Sequence, residues 1–363
     1  MSIMQLSNKQ LITPPSAKIE HKKPKLRNSN IEFLRIVAMF MVLMLHVNFF
    51  SIGSPDTEVC LSQPVQSFLR IAFEMLCIIS VNLFVFISGW FGIKANFKGF
   101  CKFIFQCFCV LAIVQCIGFV FGYTQISVDR ILEIFFLKGN AWFVPAYAFL
   151  YILSPVLNVF CEKSSEKTIK HFVIVFYLLQ TIYDNIFDSA HYILYGHSPF
   201  SFIGIYILAR YVKMYGERWY KYGLKIFIVS SMLLIALYCI PKFLNIYPIL
   251  SLIAIRYTCL LNISAIIGLV IWVANLSPRH NKIVNFIATS VFAVYLCHVC
   301  LHWTIVEYKR ISCAIFNEYS GLSYLAVITL FMLSVFCASI LIDQIRKYAW
   351  KVFSKHVVDR IHV

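Results

Sequence analysis

The sequence predicts an all-α, polytopic membrane protein with about ten transmembrane helices and both termini in the cytoplasm. Hydrophobic residues make up 60% of the 363 residues and charged residues only 13%, and the mean hydropathy is +0.78. Soluble globular domains contain about 25% charged residues, so this composition excludes an ordinary soluble fold. Two further observations support the prediction: a series of long apolar segments, and an uneven distribution of lysine and arginine between them.

Ten apolar segments come close to the roughly 20 residues that a helix needs to cross the hydrocarbon core of a bilayer. They lie at 31–51, 72–93, 100–122, 141–160, 169–187, 199–213, 222–241, 251–275, 285–306 and 323–345. The sixth segment is the shortest. No internal repeat divides the series into related halves, which argues mildly against a secondary transporter, because many transporters are built from inverted repeats.

Basic residues are concentrated in alternate connections between the segments. Of the 32 Lys and Arg residues, 24 lie in the two terminal regions and in the loops after segments two, four, six and eight. Cytoplasmic loops are enriched in Lys and Arg, so these regions are predicted to face the cytoplasm. We therefore predict a basic cytoplasmic N-terminal tail (1–30), a transmembrane domain (31–345) and a basic cytoplasmic C-terminal tail (346–363).

The formal charge of +16 is accounted for by this topology, together with attraction to anionic lipid headgroups. No nucleic-acid partner is predicted.

The 13 cysteines lie mostly inside apolar segments, where we interpret them as small buried hydrophobic residues. The sequence contains no Walker loop, Rossmann fingerprint or G-x-S-x-G elbow.

The stretch CHVCLH (297–302) resembles a metal site. On a continuous helix His298 and His302 would project about 40° apart, whereas Cys297 and Cys300 would point to a separate face. Four ligands from this stretch therefore cannot converge on one ion. Two histidines four residues apart remain an alternative, but we predict no metal.

The first apolar segment, IEFLRIVAMFMVLMLHVNFF (31–50), carries Arg35 and His46. Ionisable residues in a bilayer cost roughly 2.5–3.5 kcal/mol each, so they usually face the helix bundle and indicate a function. Eleven residues of helix place these two side chains on one face, about 16 Å apart along the axis. Arg35 is either a snorkelling residue paired with Glu32 or a phosphate contact near the cytoplasmic side.

His46 is predicted to lie in the outer half of the membrane. It either forms a hydrogen bond between helices or transfers protons in a reaction. Other polar residues are expected near its depth by the alternating topology: Glu74, Asn140, Trp142, Arg256 and His298. Glu74 could orient an imidazole, or it could pair with Arg70 one helical turn earlier.

Four motifs in order resemble the membrane-bound acyltransferase 3 family. LRIVAMFMVLMLHV resembles its first-helix signature, an arginine followed eleven positions later by a histidine. VNLFVFISGWFG (81–92) resembles its second-helix run ending in Ser-Gly-aromatic. NAWFVPAYAFLYILSPVLN (140–158) resembles its Trp-Phe…Tyr…Pro segment, and SVFAVYLCHV (290–299) its late Ser-Phe…Tyr-Leu-x-His segment. Together these motifs extend across nearly the whole chain.

The resemblance implies a bundle of about ten membrane helices that moves an acyl group, usually acetyl, from cytosolic acyl-CoA to a hydroxyl of a sugar, commonly in a cell-surface polysaccharide or its lipid-linked precursor. Acetyl-CoA would be a co-substrate and no bound cofactor is expected. His46 matches the essential histidine of the family and Arg35 its paired basic residue. Further motif positions are matched by Ser88, Trp142, Tyr147, Pro155, Tyr295 and His298.

These expectations define a candidate site in a bacterial cytoplasmic membrane. His46, Glu74, Trp142, Tyr295 and His298 are the candidate catalytic residues, and Arg35 and Ser88 the candidate donor-binding residues.

His46 would act as a general base or would carry the acyl group itself. Asn140, the Trp142 indole and Tyr295 are candidate donors to the oxyanion. A transporter or flippase that uses intramembrane His, Glu and Arg is the alternative function, and a scaffold without chemistry is the third.

Overall fold

A computed structural model describes residues 27–186 and 194–360, and within these ranges the chain is helical with no strand. The all-α fold class is thereby confirmed. Most of the predicted N-terminal tail lies outside the described residues. The α-helices are α1 Ser29–Val47, α2 Thr57–Ser62, α3 Pro64–Cys77, α4 Ser80–Phe91, α5 Phe97–Val120, α6 Val128–Ile134, α7 Phe143–Lys163, α8 Glu166–Ile186, α9 Pro199–Tyr215, α10 Gly223–Leu244, α11 Pro248–Ala254, α12 Leu260–Asn275, α13 Lys282–Ala288, α14 Val291–Val299, α15 His302–Glu318 and α16 Gly321–His356.

All ten predicted segments lie on these helices. Seven helical stretches of the described chain are long and apolar enough to cross a membrane: Ser29–Ile52, Pro64–Phe91, Phe97–Val120, Phe143–Lys163, Glu217–Leu244, Lys282–Val299 and Gly321–His356. The other three predicted segments correspond to α8, α9 and α12, of which α12 is a shorter apolar helix. The architecture is that of a polytopic helical membrane protein.

Three of the predicted segments are interrupted helices. Segment 251–275 is divided into α11 and α12, segment 285–306 into α13, α14 and the start of α15, and segment 72–93 into α3 and α4. Non-helical backbone at membrane depth is tolerated where other groups satisfy its polar atoms. Asn82 Nδ2 donates to the Tyr257 carbonyl in the first interruption, at 2.8 Å. Hydrophobic patterns cannot reveal these breaks, because the apolar run continues through them.

Helix α16 extends well beyond the segment predicted for it. Its 36 residues correspond to about 54 Å of helix, whereas the hydrocarbon core is about 30 Å thick. The domain boundary predicted between residues 345 and 346 falls inside this helix. Arg346 and Trp350, both assigned by sequence to a tail, are buried against the bundle.

Helix α1 lies at the centre of the bundle. It contacts α3, α4, α12, α13, α14, α15 and α16, and the buried hydrophobic residues of these helices form one continuous core. A helix surrounded in this way presents its polar residues to protein rather than to lipid. This position accounts for the presence of Arg35 and His46 in an apolar segment.

Helices α4 and α9 approach each other closely at Gly89, the glycine of the Ser-Gly-aromatic motif. A Cβ atom at this position would lie 2.6 Å from the Tyr206 carbonyl oxygen and 2.9 Å from the Ala209 Cβ. Neither distance is compatible with normal van der Waals contact. The two residues beside Gly89 serve other purposes: Ser88 lines a cavity and Trp90 is buried.

We expect Gly89→Val to lower the free energy of unfolding by about 1–3 kcal/mol, because overpacking forces the two helices apart. Thermal unfolding of the purified protein in detergent measures the change. Ala326→Val, on an exposed position of α16, is the control for adding methyl groups to a membrane helix. An unchanged unfolding midpoint for Gly89→Val would contradict the close packing.

Candidate active site

A cavity of about 700 Å³ extends through the bundle along α1. Its wall includes Arg35 near the start of α1 and His46 near the end, which are about 16 Å apart along the helix axis. Six of the seven candidate site residues line this cavity: Arg35, His46, Glu74, Ser88, Trp142 and Tyr295. The seventh, His298, is hydrogen-bonded to His46 from behind the cavity wall. The structure thus brings together residues from five regions of the chain.

The backbone after His46 departs from regular α-helix. Asn48–Ile52 form a π-helical turn, and such turns occur frequently at functional sites. Ser51 Oγ donates to the His46 carbonyl at 2.5 Å, so a side chain satisfies an oxygen at the change of helix type. Phe49 and Phe50 of this turn line the cavity beside His46.

His46 and His298 form a hydrogen-bonded pair. Their Nδ1 and Nε2 atoms, respectively, are 3.0 Å apart. His298 is only 3% exposed, and its own Nδ1 lies 2.5 Å from the Val294 carbonyl oxygen. His46 is half-buried, and it is the member of the pair that lines the cavity.

The partners determine the tautomers of both neutral rings. A carbonyl oxygen can only accept, so His298 Nδ1 carries a hydrogen and donates to Val294. The Nε2 atom of a neutral His298 is then an acceptor, and His46 Nδ1 donates to it. His46 is left with an unprotonated Nε2, the atom that a general base needs.

Glu74 is held by Asn48 and not by Arg70. Asn48 Nδ2 donates to Glu74 Oε2 at 3.0 Å, and the Phe49 backbone N–H donates to the same oxygen at 3.4 Å. Arg70 Nε donates to Asn48 Oδ1 at 3.0 Å, and its guanidinium also binds the Gly53 carbonyl. The alternative of an Arg70–Glu74 pair is replaced by a network with Asn48 at its centre, which keeps the carboxylate at the cavity wall.

Arg35 is both paired with Glu32 and accessible from the cavity, so it fits the snorkelling pair and the phosphate contact that were considered for it. Its guanidinium lies 3.2 Å from the Glu32 carboxylate, as expected for a snorkelling pair, and it also lines the cavity with 28% of its side chain exposed. Ser88, on the same cavity, donates to the Phe84 carbonyl at 2.9 Å and lies 3.1 Å from the Tyr147 hydroxyl. Tyr147 therefore positions this part of the wall.

The candidate oxyanion donors separate into two groups. Trp142 and Tyr295 line the cavity, and the Tyr295 hydroxyl is 3.4 Å from both the Phe143 N–H and the Asn140 carbonyl oxygen. Asn140 is exposed and is not among the described residues of the cavity wall. Arg256 is also outside it and binds Asp184. Asn140 and Arg256 were predicted to lie at the same membrane depth as His46, but they do not line the cavity.

Sequence inspection missed several polar residues of the cavity. His197 and Tyr257 form a row with Trp142: the Trp142 and His197 rings meet edge to face with centroids 4.5 Å apart, and the His197 and Tyr257 rings are tilted with centroids 4.6 Å apart. Gln106 and Thr289 line the cavity as well. Tyr147 was the one further member that a motif indicated. The others lie in connections or on helix faces without a distinctive local pattern.

The CHVCLH stretch is divided between two helices. Helix α14 ends at Val299 and α15 begins at His302, so its two histidines do not lie one turn apart on a continuous helix. His298 is bonded to His46, and the backbone N–H of His302 donates to Glu133 at 3.2 Å. Within residues 27–186 and 194–360, no group of three or more His, Cys, Asp or Glu side chains is arranged to hold a metal ion.

Comparison with models of known protein families gives a match over most of the chain. The family model described as an acyltransferase domain, that of the acyltransferase 3 family, matches residues 28–344. No curated protein and no solved structure matches the chain significantly. The matched region includes all four motifs and every candidate site residue. The chain therefore belongs to the acyltransferase 3 family and is a membrane acyltransferase.

Proposed function

We propose that this membrane acyltransferase moves an acetyl group from acetyl-CoA to a sugar hydroxyl in a cell-surface polysaccharide or its lipid-linked precursor. The proposal places it in a bacterial cytoplasmic membrane. The observation that carries it is the His46–His298 pair, 3.0 Å apart, on a cavity that also reaches Arg35. This arrangement supports a donor entering from the cytoplasm and an acceptor near the outer face.

The donor would occupy the part of the cavity between Arg35 and His46. Arg35 offers a guanidinium fork to a phosphate of the CoA moiety. The wall between these residues is mostly apolar and includes Met39, Val42 and Phe84, which suits an uncharged pantetheine arm. The thioester would then lie within reach of His46, with Ser88 beside the arm.

His46 would act as the general base. Its Nε2 takes the proton from the acceptor hydroxyl while that oxygen attacks the thioester carbonyl. The C–O bond forms, the C–S bond breaks, and the proton passes from His46 to the thiolate that leaves as CoA. His298 accepts a hydrogen bond from His46 throughout, which keeps the imidazole in the required tautomer and stabilises its protonated form.

The remaining groups would bind the oxyanion and the acceptor. The Trp142 indole N–H is the donor on the cavity wall that would face the developing negative charge. The Tyr295 hydroxyl would be a second donor once its one hydrogen turns away from the Asn140 carbonyl, which accepts it at 3.4 Å. The aromatic row of Trp142, His197 and Tyr257 lines the same cavity as the Glu74 carboxylate. A sugar ring has both apolar faces and hydroxyl edges, so these groups suit it as the acceptor.

The test follows the acetyl group. Purified protein in lipid nanodiscs is given acetyl-CoA labelled in the acetyl group, together with lipid-linked glycans from the host membrane. We expect label in the glycan as base-labile O-acetyl esters and release of one CoA thiol per ester. Glycans from a deletion strain should lack the same esters. Unchanged glycan acylation in that strain would contradict the proposed acceptor, and no consumption of acetyl-CoA would contradict the donor.

A further inference from the structure

A cluster of charged side chains lies on the C-terminal half of α16, which is the cytoplasmic half by the predicted orientation. Arg346 Nε and Nη2 donate to Asp343 Oδ1 at 2.9 and 2.5 Å. Lys347 Nζ lies 3.5 Å from Asp343 Oδ2. The Asp343 and Arg346 side chains are 0% and 3% exposed and that of Lys347 is 29% exposed, so one buried carboxylate is shared by a buried cation and a partly exposed one. The cluster therefore carries one surplus positive charge.

This cluster reaches the cavity that contains His46. Lys347 Nζ donates to Thr289 Oγ1 and to Ser290 Oγ, both at 2.7 Å. Gln106 Nε2 donates to Asp343 Oδ1 at 3.3 Å. Thr289 and Gln106 both line the cavity. A lysine near the end of a membrane helix usually extends toward the headgroups, whereas Lys347 is held in the interruption between α13 and α14 by hydroxyl groups.

The same charge arrangement occurs at Arg35, on the part of the cavity wall formed by α1. Glu32 lies 3.2 Å from Arg35 and 3.8 Å from Arg27, so again one carboxylate serves two cations. Arg35 lies in the first half of α1 and Thr289 directly follows α13, and by the predicted orientation both helices begin in the cytoplasm. Two surplus positive charges thus flank one end of the cavity. The Arg35 and Lys347 side chains are 28% and 29% exposed, so a ligand can reach both, and this end is suited to a ligand with several negative charges.

We propose that Lys347 is a second phosphate-binding residue, which together with Arg35 holds the phosphorylated end of the acyl-CoA donor. The proposal rests on the proposed function, because it assigns a further contact to the same donor. A phosphate oxygen would replace the Asp343 carboxylate, which is the most distant of the three partners of Lys347, while the two hydroxyls keep the ammonium group in place. Lys347 lies outside the family match, which ends at residue 344.

Binding measurements on four forms of the full chain test this proposal. The wild type, Lys347→Gln, Lys347→Arg and Lys351→Gln are reconstituted in phosphatidylcholine nanodiscs. Isothermal titration calorimetry gives the dissociation constants for CoA and for pantetheine, which has the same thiol arm without phosphates. Lys351 is exposed one turn further along α16, so Lys351→Gln removes the same charge outside the cluster.

We expect Lys347→Gln to weaken CoA binding by about tenfold, the loss of one charge-assisted contact, and to leave pantetheine binding unchanged. Lys347→Arg should restore most of the affinity for CoA, and Lys351→Gln should bind as the wild type does. Unchanged CoA affinity of Lys347→Gln would overturn the proposal. Equal loss for CoA and pantetheine would also overturn it, because it would indicate damage to the fold.

Two further outcomes separate this proposal from others. An anionic lipid headgroup offers the same phosphate chemistry, so the titrations are repeated in nanodiscs that contain phosphatidylglycerol. If Lys347→Gln alters only the retention of that lipid and not the CoA affinity, Lys347 is a lipid contact and the proposal is wrong. If the wild type itself does not bind CoA, the donor in the proposed function is wrong. If the wild type binds CoA and Lys347→Gln binds it with the same affinity, only the role assigned to Lys347 is wrong.

Discussion

Replacing His46 by alanine is expected to reduce acyl transfer by about 10²- to 10⁴-fold, the usual contribution of a positioned histidine base. The affinity for the donor should change little, because the phosphate-bearing end of the ligand would bind about 16 Å away along α1. The loss should therefore be in kcat rather than in KM for acetyl-CoA. Initial rates at several donor concentrations, measured with the acceptor identified by glycan analysis, separate the two parameters.

Two controls accompany this variant. His46→Gln keeps a side-chain N–H and a similar volume, and should be equally inactive if proton transfer is the function of His46. His171→Ala makes the same substitution at an exposed position of α8 and should be fully active. A folded and inserted His46→Ala protein with wild-type turnover would exclude His46 as the base.

Replacing His298 by alanine is expected to reduce kcat by about 10- to 100-fold, the cost of losing the group that orients an imidazole. The base itself remains in this variant, so the loss should be smaller than for His46→Ala. Without the acceptor at 3.0 Å, His46 is free to adopt the other tautomer, in which Nε2 is protonated and cannot take a proton. KM for acetyl-CoA should again be unaffected.

The double variant distinguishes positioning from a separate catalytic contribution. If His298 acts only through His46, His46→Ala/His298→Ala should be no less active than His46→Ala, because groups that act as a unit are not additive. Multiplicative losses would show that His298 acts independently. His302→Ala, at an exposed position four residues further along the chain, is the matched control and should retain activity.

Much of the fold could be predicted from local patterns. The ten apolar segments all lie on helices, and the shared face of Arg35 and His46 lines a cavity, as a spacing of eleven residues on a helix requires. The interruptions at 78–79, 255–259, 289–290 and 300–301 could not be predicted, because hydrophobicity is the same in a straight and in a broken apolar helix. One of these interruptions provides the hydroxyl groups that hold Lys347.

Predicted depth was a weaker guide to the candidate site. It grouped Asn140 and Arg256 with His46, but both lie outside the cavity wall. It gave no indication of His197, which stands between Trp142 and Tyr257 in a connecting region. Depth describes one coordinate of a residue, whereas membership of a cavity depends also on the face of the helix and on the order in which helices pack.

The sequence by itself determined that this chain is a helical membrane protein with polar residues on one face of its first helix, because hydrophobicity, charge placement and helical spacing are local properties. Only the tertiary structure decided which polar residues meet. His46 and His298 are 252 residues apart in the chain, and their contact, with the tautomers that it imposes, exists because α14 packs against α1. Packing of α3 against the turn that follows α1 brings Asn48 to Glu74, and packing of α16 against α14 brings Lys347 to Thr289. No local pattern contains the information for these contacts.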